Sequence, residues 1–241
     1  SARTQTDGAP ISYQAGGDLW LAQVESAEGT VSLSNDGIIE SVFAEEQTNI
    51  TAQRLEVASG SGIGNQQRLL TEVKELSLTN QRGRVAVTNT GTVRIERMAS
   101  NGNVSLRSLE GDVELDSREG PIFDLEERDA IRAGGTLSAN YQQGTVSIFV
   151  DKGSLLALGT PHSHKPDLVG RRGNIIVAKD IGTAARPLVM YFQDSVFMNG
   201  LRSWSPEWAF GDPPPTVENQ SSLKMSDFDL LMSGADYLIQ V

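Results

Sequence analysis

Gly102-Asn-Val-Ser-Leu106, Gly111-Asp-Val-Glu-Leu115 and Gly144-Thr-Val-Ser-Ile148 share one pattern: glycine, polar, apolar, polar, apolar. The period of two describes a strand with one buried face, and the glycine supplies the bend that precedes it. Gly102, Gly111 and Gly120 stand nine residues apart, and so do Val104, Val113, Ile122 and Ile131. A second phase of the same spacing runs through Leu137, Val146 and Leu155. Strands this short cannot each bury a core, whereas units repeated at fixed spacing bury theirs against one another, so the chain is expected to be an all-β solenoid.

The same units extend in both directions. Residues 1 to 15 show no strong period and are expected to be a frayed lead-in. Gly17-Asp-Leu-Trp-Leu21 is the first strand unit, with Leu19 and Leu21 inward and Trp20 outward; Gly29-Thr-Val-Ser-Leu33 is the second. An outward Trp20 suits either a contact with a glycan or partner, or packing under a neighbouring loop. Less regular strands follow around Ile50 and Leu55 to Val57. Gly60-Ser-Gly-Ile-Gly64 lacks the G-x-G-x-x-G spacing of a dinucleotide loop and precedes polar Asn65-Gln-Gln-Arg68, so no nucleotide site is expected. Leu69 to Lys74 is expected to make one or two helical turns. Strand units resume at Leu76, Gly83 and Gly91, with Asn80, Asn89 and Asn101 after strands, where asparagine tolerates left-handed backbone and bonds locally.

Thr160 to Pro166 reads as a loop, and Asn174 to Val177, Leu188 to Phe192 and Ser195 to Met198 as further strands. Residues 1–199 therefore form the repeat domain, and 200–241 an irregular cap or linker. In that tail Trp204, Trp208 and Phe210 lie within seven residues, and Pro213 to Pro215 break all periodicity. The rings are expected to cover the last coils near Leu188 to Met198, with Tyr237 to Val241 as a final strand.

Composition bounds the function. A net charge of −11 over 241 residues argues against nucleic acid, which needs a basic face, and offers no polybasic handle for anionic lipid. No apolar run approaches the roughly 18 residues of a membrane span, so no membrane insertion is expected. The absence of cysteine fits a turn-rich fold without disulfides. A monomer is expected, and Ser1-Ala-Arg-Thr4 suggests a piece of a longer chain.

Three pieces of sequence resemble the filamentous haemagglutinin-type repeat region of large secreted bacterial adhesins. The first is the strand-and-turn cadence. The second is Gly62-Ile-Gly64 with Leu69-Leu-Thr-Glu-Val73, then Val85-Ala-Val-Thr-Asn-Thr-Gly91. The third is a further copy of that line, Asp180-Ile-Gly-Thr-Ala-Ala-Arg-Pro-Leu188. The segments from Gly37 and from Gly120 also look like diverged copies. The resemblance covers roughly residues 17 to 198, and it departs from the family pattern at Asn65, at Arg68 and throughout the tail. It implies a right-handed parallel β-helix, and the nine-residue spacing is itself expected to build such a rod, on the order of ten coils at ~4.8 Å each and about 50 Å long. It also implies export to the bacterial cell surface or outside the cell, and a stalk function without catalytic residues. The partners it implies are a surface receptor or glycan, or neighbouring segments of the same chain.

Chemistry-bearing residues are sparse. His162 and His164 share one side of an extended chain, but zinc needs three or four ligands, and Asp167 is the nearest further candidate. No G-x-S-x-G elbow exists. Asp112, Glu114 and Asp116 alternate outward on one strand, with Asp124, Glu126, Glu127 and Asp129 behind them. Such acids have the types needed to bind Ca²⁺ through oxygen, or to act as paired carboxylates in a carbohydrate-active β-helix enzyme; equally they make a solvated acidic face. The paired-glycine calcium nonapeptide is not met, and no cofactor is expected. Trp20, Trp204, Trp208, Asp112, Glu114 and Asp116 are the candidate contact residues. Asn49, Asn103 and Asn219 each begin an N-glycosylation triplet.

Overall fold

In a computed structural model the chain is an all-β parallel solenoid of about eight turns. The structure describes residues 3–5, 8–43, 47–117, 129–130, 134–159, 165–200, 206–208 and 216–219. The first strands are β1 (Arg3–Gln5), β2 (Ile11–Ala15), β3 (Leu19–Leu21), β4 (Gln23–Asn35), β5 (Ile38–Ser41), β6 (Ile50–Ser59) and β7 (Gly62–Ile63). The middle ones are β8 (Leu69–Asn80), β9 (Val85–Asn89), β10 (Val93–Ser100), β11 (Val104–Ser108), β12 (Val113–Asp116) and β13 (Leu137–Ala139). The last are β14 (Thr145–Val150), β15 (Leu155–Leu158), β16 (Leu168–Val177), β17 (Leu188–Gly200), β18 (Pro206–Trp208) and β19 (Thr216–Asn219).

The pairings show how the turn is built. Leu55 lies beside Leu76, Leu76 beside Ile95 and Ile95 beside Leu115, steps of 21, 19 and 20 residues. The nine-residue spacing is therefore not a turn. It separates successive sides of one turn, as Val104 in β11 and Val113 in β12, or Val146 in β14 and Leu155 in β15. The number of turns is thus about eight rather than the expected ten. About eight turns at ~4.8 Å give a solenoid on the order of 40 Å long.

Inward residues stack in columns along the axis. Val31, Leu55, Leu76, Ile95, Leu115 and Ala157 form one, and Ile39, Ile63, Val85, Val104 and Val146 another. All belong to a single core cluster running from Ile11 to Met198. Each fully buried Leu, Ile or Val contributes about 1.5–3 kcal/mol relative to leaving it in water.

Several expectations need correction. Residues 1 to 15 are not merely a lead-in, since they contain β1 and β2 of the first turn. Leu69 to Lys74 is not helical but opens the twelve-residue β8, whose ladders to β6 and β9 satisfy the backbone in place of a helix. Asn80 and Asn89 close strands rather than follow them. Both are fully buried, and their amides donate to turn carbonyls: Asn80 to Arg82 and Gly83, Asn89 to Gly91. In the tail, β18 pairs with Leu188 to Met190 and β19 with Ser195 to Met198, adding a parallel layer on β17.

Candidate functional site

Among the described residues the predicted contact positions do not converge. Trp20 sits on β3 in the first turn, 49% exposed, beside Glu40 of β5. The carboxylates Glu114 and Asp116 lie on β12, several turns along the axis, with Asp112 immediately before it. Trp208 is in β18, in register with Met190. Trp204, Phe210, Tyr237 to Val241, Asp124, Glu126, Glu127, His162 and His164 lie outside the described residues.

The acidic strand is tied into the scaffold. Asp112 Oδ1 accepts the Ser154 N–H at 2.7 Å, and the Asp112 N–H donates to Thr92 Oγ1 at 3.2 Å, so this residue brackets the corners of adjacent turns. Glu114 lies 3.8 Å from the Arg94 guanidinium. Arg94 reaches Glu75 at 3.7 Å, and Glu75 reaches Arg54 at 3.2 Å. Because Arg54, Glu75, Arg94 and Glu114 are register partners on successive strands, they form one outward column of alternating charge along the axis. Arg54 also bonds Glu56 and Glu96, and the Glu96 bond above all raises its already high pKa further. Such half-exposed pairs stabilise by about 0–1 kcal/mol each, but like charges in adjacent positions would repel. Sequence reading missed this column because its spacing is the turn length, which the nine-residue pattern conceals. Among the described residues no group of three or more His, Cys, Asp or Glu is placed to hold a metal ion.

Three buried polar nodes also escaped the sequence reading. The Gly62 to Gln67 corner turns through Gly62 (φ +144°) and Gly64 (φ +62°), where a Cβ on Gly64 would collide with the Ala86 carbonyl oxygen. The corner aims three successive N–H groups inward. Those of Asn65 and Gln66 donate to Glu40 Oε1 at 2.7 and 2.9 Å, and that of Gln67 to Oε2 at 3.2 Å. The loop that only superficially looked phosphate-binding is thus a backbone anion nest, already filled by the chain's own buried Glu40.

The second node is Asn49, fully buried, whose Oδ1 accepts the Leu70 N–H at 3.0 Å while its amide donates to Leu21 O, Ala22 O and Ser41 Oγ. Burial removes Asn49 as a glycosylation acceptor. The third is Asp167, which repeats the Asn49 geometry 118 residues later. Its Oδ2 accepts the Val189 N–H at 2.9 Å, and its own N–H donates to Val189 O, as that of Asn49 does to Leu70 O. A carboxylate in this place requires a cation, and Arg186 supplies it at 3.1 Å. Arg186 also donates to Ser117 Oγ, Leu158 O and Pro187 O. Burial pushes the Asp167 carboxyl up to about 6, against the pull of the Arg186 charge. Asp167 is therefore engaged by Arg186 and the backbone.

Among the described residues the outer surface offers shallow relief. A groove of about 430 Å³ crosses β2, β4, β6 and β8 and is lined by small polar side chains such as Ser12, Ser32, Ser77 and Thr79. No family model, curated protein or solved structure matches this chain.

Proposed function

We propose that this chain is a non-enzymatic segment of a bacterial cell-surface or secreted adhesin, serving as a stiff β-solenoid stalk with lateral faces for contact with a receptor or glycan. The observation that carries the reading is how the polar groups are used. Of the outward acids, Asp112 accepts from the Ser154 backbone and Glu114 pairs with Arg94, while the buried Asp167 and Glu40 are held by Arg186 and by a backbone nest. Side chains so engaged hold turns in register; they are not spare acid–base groups facing a cleft. The order of family-like motifs in the sequence supports an adhesin in particular. Export and surface location belong to the same proposal.

A panel of acidic and neutral polysaccharides tests it, read once as binding on a glycan array and once as product release. The proposal expects binding or no interaction, and no turnover. Turnover that disappears in Asp112→Ala or Asp124→Ala would establish a carbohydrate-active enzyme instead.

A further inference from the structure

Asparagine followed by glycine stands twice in the chain, at Asn101-Gly102 and at Asn199-Gly200. A glycine, having no side chain, leaves its own backbone nitrogen least hindered from reaching the preceding side-chain amide. The fold treats the two pairs differently. Asn199 is 5% exposed within β17, and both residues of that pair are held in the ladder to β16, beside Ile176 and Val177. Asn101 and Gly102 are half-buried at the bend between β10 and β11. Glycine is required at this bend, because a Cβ on residue 102 would collide with the Gly83 carbonyl oxygen one turn earlier.

The side-chain amide of Asn101 is also used unlike those at the other corners. Asn35, Asn49, Asn80 and Asn89 are buried, and the amide nitrogen of each donates to a carbonyl oxygen. Asn101 engages only its oxygen: Oδ1 accepts the Ala130 N–H at 2.7 Å, while its amide nitrogen has no partner among the described residues. A backbone N–H at that oxygen stabilises the negative charge that develops there when a nucleophile adds to Cγ. The Gly102 N–H donates to Ser100 Oγ at 3.1 Å, and this is the bond that must open before its nitrogen can attack. Asn103 likewise accepts through Oδ1, from the Thr145 N–H at 2.9 Å, but the stiff, β-branched Val104 follows it.

We propose that Asn101 is a site of spontaneous deamidation in the folded protein. The Gly102 nitrogen gives its proton to solvent hydroxide and bonds to Asn101 Cγ. The Cγ–Nδ2 bond breaks, and the departing nitrogen takes a proton from water and leaves as ammonia, closing a five-membered succinimide. Water then adds to one of the two ring carbonyls and reopens the ring to aspartate or isoaspartate. Aspartate leaves the backbone unchanged and adds one negative charge. Isoaspartate adds a methylene to the main chain where the Asn101 N–H meets Asn80 O at 3.3 Å and Gly102 O accepts the Asn140 N–H at 3.4 Å, and so loosens the register between adjacent turns. The inference is independent of whether the protein is an adhesin.

Peptide mapping by mass spectrometry of the 241-residue chain, incubated folded at neutral and mildly alkaline pH, tests the proposal. The expected result is conversion of Asn101 to aspartate and isoaspartate, faster as pH rises, while Asn103 and Asn199 stay intact. In urea, where the ladder to β16 is gone, Asn199 reacts as well. Ala130→Pro removes the N–H donor and is expected to slow the reaction at Asn101 by about tenfold or more. An intact Asn199 in the same sample shows that this variant is folded. No conversion of Asn101 in the folded chain, conversion of Asn199 at an equal rate, or a folded Ala130→Pro variant that reacts as fast as the unmodified chain would each overturn the proposal.

Discussion

Asp167 has no solvent exposure and accepts hydrogen bonds from Arg186, Ser117 and the Val189 backbone. Two predictions belong to this residue. Replacing it by Ala leaves Arg186 buried without its counter-ion, and should cost about 3–5 kcal/mol in urea unfolding at pH 7. Its carboxyl titrates near 6 when folded, above the roughly 3.9 of an unfolded chain, so the folded state binds the extra proton between those values. The contribution of Asp167 to stability is therefore greatest below pH 4 and falls as pH rises through 6. Unfolding curves from pH 4 to 7 should show that decline in the unmodified chain and not in Asp167→Asn. Glu40 makes a third prediction at this scale. Glu40→Ala leaves three inward N–H groups of the Asn65 to Gln67 corner without their acceptor, and should cost about 2–3 kcal/mol or more.

Among the elements, the strands were legible wherever one face alternated, because a half-buried strand writes its period into the sequence. Val104, Leu106, Val113, Leu115, Val146 and Ile148 are all inward, as their spacing implied. The turn was not legible, because corners carry its length: 19 to 21 residues in the regular region, but 42 from Val104 to Val146. Leu69 and Val73 share one side of a helix as well as one side of a strand, and only the ladders to β6 and β9 decide between them. The nodes at Glu40 and Asp167 were hidden for a related reason. Glu40 is some 25 residues from its donors and Asp167 is 19 from Arg186, about one turn in each case. The outer charge column makes its own prediction. Arg94→Glu would place three acids in successive positions beside Glu75 and Glu114, and should destabilise by about 1 kcal/mol at low salt, a loss that 1 M salt largely removes.

For the whole molecule, stiffness follows from construction: each turn is hydrogen-bonded to the next, and one continuous core runs from Ile11 to Met198. All of this rests on a turn of about twenty residues, and the absence of native cysteine makes that claim directly measurable. Register partners on adjacent strands lie about 4.8 Å apart, within the 4.4–6.8 Å separation a disulfide accepts. Arg94 and Glu114 are such partners, both outward and partly exposed, whereas Ser105 and Glu114 are nine residues apart on different sides of the coil. Under mild oxidation, Arg94→Cys with Glu114→Cys is predicted to form an intramolecular disulfide, while Ser105→Cys with Glu114→Cys stays reduced. The opposite pattern, with the nine-residue pair cross-linked and the twenty-residue pair free, would contradict the solenoid described here.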